Sequence, residues 1–177
     1  MKKIGLFYGS DTGCTEGVTD KLIALLGESN VDTYDMSIIK EGTEFQQYEY
    51  LLLGIPTWYD GDLQSDWEVF YPKFQELNFT GKTVAIYGLG DQIGYAEYFI
   101  DGVGILANTV LEQGGQIVGL WSTKGYLHTE SKAEVEDGAY FLGLAIDEDN
   151  ESEQTEERLT VWAEQIIEEM ELVLETI

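Results

Sequence analysis

The sequence predicts an α/β fold with a parallel sheet, and three observations support this prediction. Five short apolar segments recur along the chain, helical patterns separate them, and the chain ends in an amphipathic helical pattern. Strands that alternate with helices in this way form parallel sheets, because each parallel connection needs a crossover segment to return the chain. At 177 residues the chain is long enough for a substantial core, and we expect one domain over residues 1–177.

Each predicted strand is an apolar segment bounded by polar or glycine-containing turns. The five strands cover residues 3–8, 31–35, 50–55, 83–89 and 116–121. Apolar residues that recur every three or four positions predict the helices between them. These helices cover residues 16–26, 66–75 and 100–113, with a weaker segment near Phe45.

The clearest helical pattern is the last one. Its apolar side chains are spaced by three and four residues, and the neighbouring glutamates fall outside this stripe. The stripe comprises Leu159, Trp162, Ala163, Ile166, Ile167, Met170, Val173 and Leu174. We expect it to pack against the core.

Residues 122–140 interrupt the alternation of strands and helices. They are mostly polar, and apolar strand character returns only over residues 141–146. A loop of about 20 residues is unusual inside a compact domain, so we interpret it as an insertion that splits the fifth strand. The acidic segment 147–151 then departs from a calcium-binding EF-hand, because Ser152 and Arg158 stand where that motif needs glycine and glutamate. We expect a solvated connector there.

The turn after the first strand has the composition of a phosphate site. It contains Ser10, Asp11, Thr12, Gly13, Cys14 and Thr15. A helix N-terminus at this point offers unpaired N–H groups and the positive end of its dipole, hydroxyls add donors, and glycine permits close approach. The turn has no Lys or Arg, which favours a phosphate that belongs to a larger bound molecule. A hydroxyl-rich helix cap without any ligand is the alternative interpretation.

Two other phosphate motifs fail on spacing. A Walker loop that starts at Gly9 would need glycine and lysine where the chain has Cys14 and Thr15. The segment from Gly88 to Gly94 has one residue too many for the dinucleotide fingerprint and follows a late strand. The sequence therefore argues against a P-loop enzyme and a Rossmann dehydrogenase.

Aromatic residues follow the third and fourth predicted strands. Trp58 stands in one of these loops and Tyr95 in the other. Ligands of open parallel sheets bind beyond the carboxyl ends of the strands, where these loops meet the turn after the first strand. Two aromatic rings on facing loops can enclose a flat conjugated ring. The sequence thus indicates a mononucleotide with a large planar base, and FMN fits that description.

The chain is strongly acidic, with 34 Asp and Glu against 9 Lys and Arg and a formal net charge of -25. This charge makes nucleic acid an improbable partner and disfavours anionic membranes, whereas it favours basic protein surfaces. Solubility alone is an equally good explanation. The chain has no apolar run near the roughly 18 residues of a membrane span and no signal-peptide pattern, so we expect a cytoplasmic protein. A single cysteine, Cys14, excludes an internal disulfide framework.

Six segments together resemble the flavodoxin family, and the resemblance covers essentially the whole chain. They are Thr12–Thr15, Pro56–Trp58, Leu63–Trp67, Gly90–Tyr95, Trp121–Thr123 and Leu144–Asn150. The insertion makes the sequence look like a long-chain flavodoxin. The resemblance implies a flavodoxin-like three-layer αβα sandwich with a five-stranded parallel sheet of order 2-1-3-4-5.

The resemblance also implies roles for particular residues. Ser10, Asp11, Thr12, Gly13, Cys14 and Thr15 would hold the FMN phosphate, and Trp58 and Tyr95 would stack on the isoalloxazine. Thr57 and Asp91 would contact the ribityl chain or the ring edge, the turn of Tyr59, Asp60 and Gly61 would meet flavin N5, and Pro56, Leu89 and Gly90 would complete the site. Cys14, Leu89 and His128 depart from commoner members; we expect Cys14 to be an inert spacer and His128 a surface residue.

By this resemblance the protein is a low-potential one-electron carrier that cycles between the semiquinone and hydroquinone of non-covalently bound FMN. The implied partners are basic faces of redox proteins such as a ferredoxin/flavodoxin NADP reductase or photosystem I, and the carrier would be a monomer. A flavin-dependent quinone or nitro reductase on the same fold is the alternative, although Trp58 and Tyr95 leave little room for a substrate over the ring. A receiver domain is nearly excluded, because Gly54 and Ile55 stand where it needs an aspartate.

Overall fold

The computed structural model describes residues 2–172 and contains a central parallel sheet with helices on both faces. In chain order its strands are β1 (Ile4–Tyr8), β2 (Val31–Asp35), β3 (Tyr50–Trp58), β4 (Asp62–Leu63), β5 (Thr83–Leu89), β6 (Gln116–Val118), β7 (Trp121–Ser122), β8 (Glu134–Val135), β9 (Tyr140–Phe141) and β10 (Leu144–Ile146). The helices are α1 (Cys14–Leu26), α2 (Ser65–Phe74), α3 (Asp101–Glu112) and α4 (Thr155–Glu169), with 3₁₀ turns at Glu28–Asn30, Met36–Ile38, Thr43–Gln47 and Ser152–Gln154.

The strand order confirms the flavodoxin-like prediction. β2, β1, β3 and β5 lie side by side, all parallel. Two short strands share the next position: β6 pairs with Thr83–Ala85 and β10 with Tyr87–Leu89. The fifth strand is therefore split, as the polar interruption predicted.

Apolar side chains fill two layers, one on each face of the sheet. On one face α1 and α4 cover Ile4, Leu6 and Leu52. On the other face α2 and α3 cover Phe7 and Leu53, together with the residues of the 3₁₀ turn Thr43–Gln47. Parallel strands buried on both faces read as continuous apolar runs, which explains why the sequence identified them.

The last helix buries the predicted stripe. Leu159, Trp162, Ala163, Ile166 and Met170 are buried, whereas Ile167 is partly buried. Val173 and Leu174, the last two members of the stripe, lie outside the described residues. Every helix within residues 2–172 is too short or too polar to cross a membrane.

Three strand boundaries differ from the sequence prediction. β3 runs on to Trp58, because Thr57 and Trp58 pair with β4 in an antiparallel hairpin. β6 ends at Val118, because Gly119 adopts a positive φ of 77° and its carbonyl accepts a hydrogen bond from the Trp162 indole at 2.8 Å. The weak helical segment near Phe45 is a 3₁₀ turn.

The insertion forms a small antiparallel sheet of its own. Its strands lie in the order β7, β9, β8, so residues 140–141 belong to this sheet and only β10 returns to the main one. The expectation that His128 is a surface residue was wrong. Its ring is wedged against Phe99 and Phe141, its side chain is 7% exposed, and Nε2 bonds Glu134.

Candidate functional site

Loops at the carboxyl ends of β1, β3, β5 and β10 meet around one cavity of about 380 Å³. Its walls are formed by Asp11, Thr12, Cys14, Thr15, Pro56, Thr57, Trp58, Tyr59, Leu89, Gly90, Asp91, Tyr95, Glu148 and Asp149. Cavities of this size hold small-molecule ligands and cofactors. The structure therefore brings the three predicted loops together and adds a fourth, the loop after β10.

The turn between β1 and α1 presents backbone donors. The first hydrogen bond inside α1 joins the Gly17 N–H to the Gly13 carbonyl, so the N–H groups of Cys14 and Thr15 have no partner within the helix. Gly13 has a φ of 89°, and a Cβ built there would meet no atom within 4 Å. Glycine is thus needed at this position for its conformation rather than for space.

Two predicted phosphate residues instead fix the turn. Ser10 Oγ accepts hydrogen bonds from the backbone N–H groups of Gly13 at 3.1 Å and Glu16 at 3.5 Å. Asp11 Oδ1 accepts from Gln64 Nε2 at 3.0 Å and Ser65 Oγ at 2.8 Å. The hydroxyl-rich cap proposed as an alternative thus exists at Ser10, beside donors that remain open to a ligand.

Gln64 lies fully buried beneath the phosphate turn. Its Oε1 accepts from the Trp67 N–H at 3.1 Å and caps α2, while its Nε2 reaches Asp11. A Cβ at Gly9 would come within 2.0 Å of Gln64 Oε1, so the chain can pass this side chain only as glycine. Gln64 therefore joins the start of α2 to the turn before α1.

The hairpin between β3 and β4 turns sharply over Tyr59, Asp60 and Gly61. Tyr59 has a φ of 45° and Gly61 a φ of 87°. A Cβ at Gly61 would approach Asp101 Oδ2 to 2.7 Å, so a side chain there is excluded by both conformation and space. The Thr57 hydroxyl oxygen accepts a hydrogen bond from the Gly102 N–H at 2.9 Å and ties this hairpin to α3.

Trp58 and Tyr95 both stand in the cavity wall, on different loops. Trp58 is half-buried, and its indole nitrogen is buried without a hydrogen-bond partner in the described chain. Tyr95 is 42% exposed, and among residues 2–172 no ring contact joins the two aromatics. Large exposed rings beside a cavity, with an indole donor left unpaired, fit a wall that a planar ligand completes.

Asp91 is fixed by three donors after β5. Its Oδ1 accepts from the N–H groups of Ile93 at 3.0 Å and Gly94 at 2.7 Å and from Asn150 Nδ2 at 2.8 Å. Burial acts to raise the pKa of this carboxyl, but the hydrogen bonds from Gly94, Asn150 and Ile93 outweigh it and hold the pKa below its usual value. Asp91 is therefore a fixed anion at the cavity edge.

Sequence reasoning missed Glu148 and Asp149 as wall residues, although segment 144–150 was among the family-like motifs. The expectation that 147–151 is a solvated connector was wrong at its first residue. Asp147 is fully buried and accepts from Gln92 Nε2 at 2.8 Å. The bare run of acids did not reveal which carboxylate points inward, because the partner of Asp147 lies 55 residues away.

The cavity wall is acidic and contains neither Lys nor Arg. Burial and then the neighbouring charges of Asp91, Asp147 and Glu148 raise the pKa of Asp149. Carboxylates that repel one another in this way resist any further negative charge nearby. The site thus combines open N–H donors at a helix start with an anionic wall around the aromatic rings.

Twelve of the predicted site residues line the cavity, and Ser10, Gly13, Asp60 and Gly61 lie outside its wall. These four shape the turns that carry the wall residues. The donor set, the two aromatic rings and the unpaired indole nitrogen fit the phosphate and planar ring of FMN. Among residues 2–172 no cluster of three or more metal-ligating side chains occurs.

A larger cavity of about 670 Å³ lies between the insertion and α4, away from these loops. Arg158 lines it, pairs with Glu151 at 2.7 Å and lies over the ring of Tyr126 at 4.5 Å. None of its lining residues belongs to the loops after β1, β3 or β5. It is therefore separate from the predicted site.

Comparisons with known proteins agree with this geometry. The sequence profile described as Flavodoxin matches residues 6–162. A flavodoxin of Haemophilus influenzae is 46% identical over 171 residues, covering 96% of this chain and 97% of that one, and a Nostoc flavodoxin is 47% identical over 165 residues, covering 93% and 95%. A crystal structure of Fusobacterium nucleatum flavodoxin bound to flavin mononucleotide superposes with a TM-score of 0.89 at 35% identity, covering 96% of this chain and 99% of that one.

Proposed function

This chain belongs to the flavodoxin family, and on that premise we propose that it binds FMN non-covalently in the four-loop cavity and carries single electrons between redox proteins. One observation supports this more than any other: open N–H groups of a helix start and two aromatic rings from separate loops line the same cavity. The bound FMN would supply the redox-active ring, and the protein supplies binding and electrostatics.

The phosphate is assigned to the turn before α1. The N–H groups of Cys14 and Thr15 and the hydroxyls of Thr12 and Thr15 are the donors, in a positive helix-dipole field. Because no cation neutralises the phosphate, backbone donors must hold it. The order of this turn, fixed by Ser10 and Asp11, then decides affinity.

The ring is assigned to the space between Trp58 and Tyr95. Pro56, Thr57, Leu89 and Gly90 line the same wall, and the turn of Tyr59, Asp60 and Gly61 lies at its edge. Rings on both sides exclude water from the flat faces and leave an edge for contact with another protein. That arrangement suits electron transfer better than the reductase alternative, which needs room for a substrate over the ring.

The acidic wall sets the direction of the redox effect. Asp91, Glu148 and Asp149 line the cavity, and no cation does. Added negative charge is therefore disfavoured, so the second electron is harder to add than it is to free FMN. We infer that the protein works in the low-potential range that this second step defines.

Partners are other redox proteins with basic surfaces, because the carrier has a formal net charge of -25. A ferredoxin/flavodoxin NADP reductase and photosystem I are the specific candidates, docked by a monomeric carrier. The insertion over residues 122–140 makes the long-chain type the proposed subclass. One domain over residues 1–177 and a cytoplasmic location stay predictions of the sequence.

Stepwise reduction of the purified protein with dithionite under anaerobic conditions tests the proposal. We expect a yellow protein that turns blue and then pale, with a second midpoint potential below that of free FMN. A colourless protein that does not quench FMN fluorescence on titration would refute the binding. Steady oxidation of NAD(P)H by the isolated protein would instead favour the reductase.

A further inference from the structure

Gln92 belongs to the loop after β5 that carries Asp91 and Tyr95, yet it points away from the cavity. It is 1% exposed, and its polar groups are all used. The backbone N–H donates to Asp147 Oδ2 at 3.2 Å, Nε2 donates to the same oxygen at 2.8 Å, and Oε1 accepts from the Leu127 N–H at 2.7 Å. One side chain thus joins the cavity loop, the loop after β10 and the insertion.

Asp147 extends this network to both sides of the cavity. Its Oδ1 accepts from the N–H groups of Asp149 at 3.1 Å and Asn150 at 3.0 Å. Asn150 Nδ2 in turn donates to Asp91 Oδ1 at 2.8 Å, which closes a ring of four residues: Asp91, Gln92, Asp147 and Asn150. Two wall residues, Asp91 and Asp149, are therefore held through Gln92 and Asp147.

Buried polar groups are costly when they lose their partners, so a fully paired network has one favoured arrangement. The Asp91 carbonyl also accepts from the Tyr95 N–H at 3.1 Å, which fixes the aromatic residue to the same loop. We propose that Gln92 is a positioning residue for the FMN site: it sets the placement of Asp91, Asp149 and Tyr95 without touching the cofactor. This inference rests on the proposed function.

The insertion takes part in the same arrangement through a single backbone donor. Leu127 is 69% exposed, so its N–H rather than its side chain is what the structure places inside. The neighbouring His128 ring is held by Phe99 and Phe141. A well-anchored insertion thus supports the cavity loop from behind and contributes to FMN affinity from outside the cavity.

The test uses Gln92→Glu with Gln165→Glu as its matched control. Gln165 makes the same kind of contacts far from the cavity loops, because Nε2 donates to the Leu120 carbonyl at 3.0 Å and to Glu169 Oε1 at 2.9 Å. Each substitution replaces an amide donor by a carboxylate that faces another carboxylate, and each adds one negative charge. The two variants therefore differ in position rather than in chemistry.

FMN dissociation constants are measured by flavin fluorescence quenching at pH 7 and pH 5, each relative to the wild-type protein at the same pH. We expect Gln92→Glu to weaken FMN binding about tenfold at pH 7, which equals about 1.4 kcal/mol, while Gln165→Glu stays within about twofold. The loss should shrink toward pH 5, because the introduced carboxyl group and Asp147 can then share a proton. The other ionisable groups around this pair are Asp91, Glu148 and Asp149, with Tyr126 and Arg158 from the insertion and α4.

The visible circular dichroism of bound FMN provides a second readout, because it reports how the ring is held. We expect a changed spectrum for Gln92→Glu and a wild-type spectrum for Gln165→Glu. Equal affinities and spectra of the two variants would overturn the inference while leaving the function intact. Failure of the wild-type protein to bind FMN would refute the function instead. If far-ultraviolet circular dichroism shows Gln92→Glu to be unfolded, Gln92→Met against Gln165→Met decides by the same criteria.

Discussion

Replacement of Gln64 with methionine should loosen the phosphate turn while leaving the rest of the cavity in place. Methionine nearly matches glutamine in length, so the change removes hydrogen bonds with little change in volume. The lost contacts include the cap on the Trp67 N–H at 3.1 Å and the bond to Asp11 at 3.0 Å. Asp11 keeps its bond from Ser65, so the turn is weakened rather than released.

The size of the effect follows from these contacts. Loss of a helix N-cap costs about 1 kcal/mol. A hydrogen bond to a charged group contributes about 1.5–3 kcal/mol, and the lower end applies because Asp11 is exposed and can be hydrated. We expect the apoprotein to lose about 2–3 kcal/mol, which lowers the melting temperature by roughly 5–10 °C in a domain of this size.

Comparison of FMN with riboflavin shows whether the loss acts on phosphate binding. The two ligands share the ring and differ in the phosphate, so only FMN needs an ordered turn before α1. If ordering the loosened turn costs about 1.4 kcal/mol, FMN binds about tenfold more weakly. Riboflavin should change by less than about twofold. Fluorescence quenching titrations give both affinities, and differential scanning calorimetry gives the melting temperature.

Gln113→Met is the matched control. Gln113 is half-buried, and its side chain makes no hydrogen bond within the described residues, so we expect wild-type stability and affinity. The argument is refuted if Gln64→Met melts within about 1 °C of the wild type. An equal loss of affinity for FMN and riboflavin would show that Gln64 does not act through the phosphate turn.

Three further results are expected. FMN should slow alkylation of the exposed Cys14 by N-ethylmaleimide severalfold, measured by mass spectrometry, whereas equal rates would place the phosphate elsewhere. Asp149→Asn should stabilise the apoprotein by roughly 0.5 kcal/mol at pH 7 and low salt. Because the folded protein raises this pKa, the gain should vanish below the ordinary pKa of 3.8, and a gain that persists there in urea titrations would contradict it. Thr57→Val should cost about 1–3 kcal/mol by leaving the Gly102 N–H unpaired, and Thr57→Ser should restore most of it; equal urea midpoints for the two would exclude this role.

Local sequence patterns predicted much of this fold. The strands Val31–Asp35 and Thr83–Leu89 have the predicted bounds, because buried parallel strands are continuous apolar segments between turns. The split of the fifth strand was also visible, since its polar interruption cannot lie inside a sheet. The phosphate turn followed from the physics of a helix N-terminus, which requires no knowledge of distant residues.

Three features could not be predicted in this way. Asp147 and His128 are buried, although their sequence surroundings are polar, because their partners come from other parts of the chain. β3 continues to Trp58 because β4 pairs with it, and a two-residue strand leaves no periodic pattern. Glu148 and Asp149 enter the cavity wall only once β10 lies beside β5.

By itself the sequence determined the alternation of strands and helices, the donor-rich turn, the aromatic residues of the cavity and the strong negative charge. These properties arise from neighbours along the chain or from simple sums over it. Only the tertiary structure decided which carboxylates face the cavity and which are buried as hydrogen-bond acceptors behind it. That choice depends on desolvation and on pairing across long sequence separations, as between Gln92 and Asp147, and identical acidic residues in one short segment therefore take different roles.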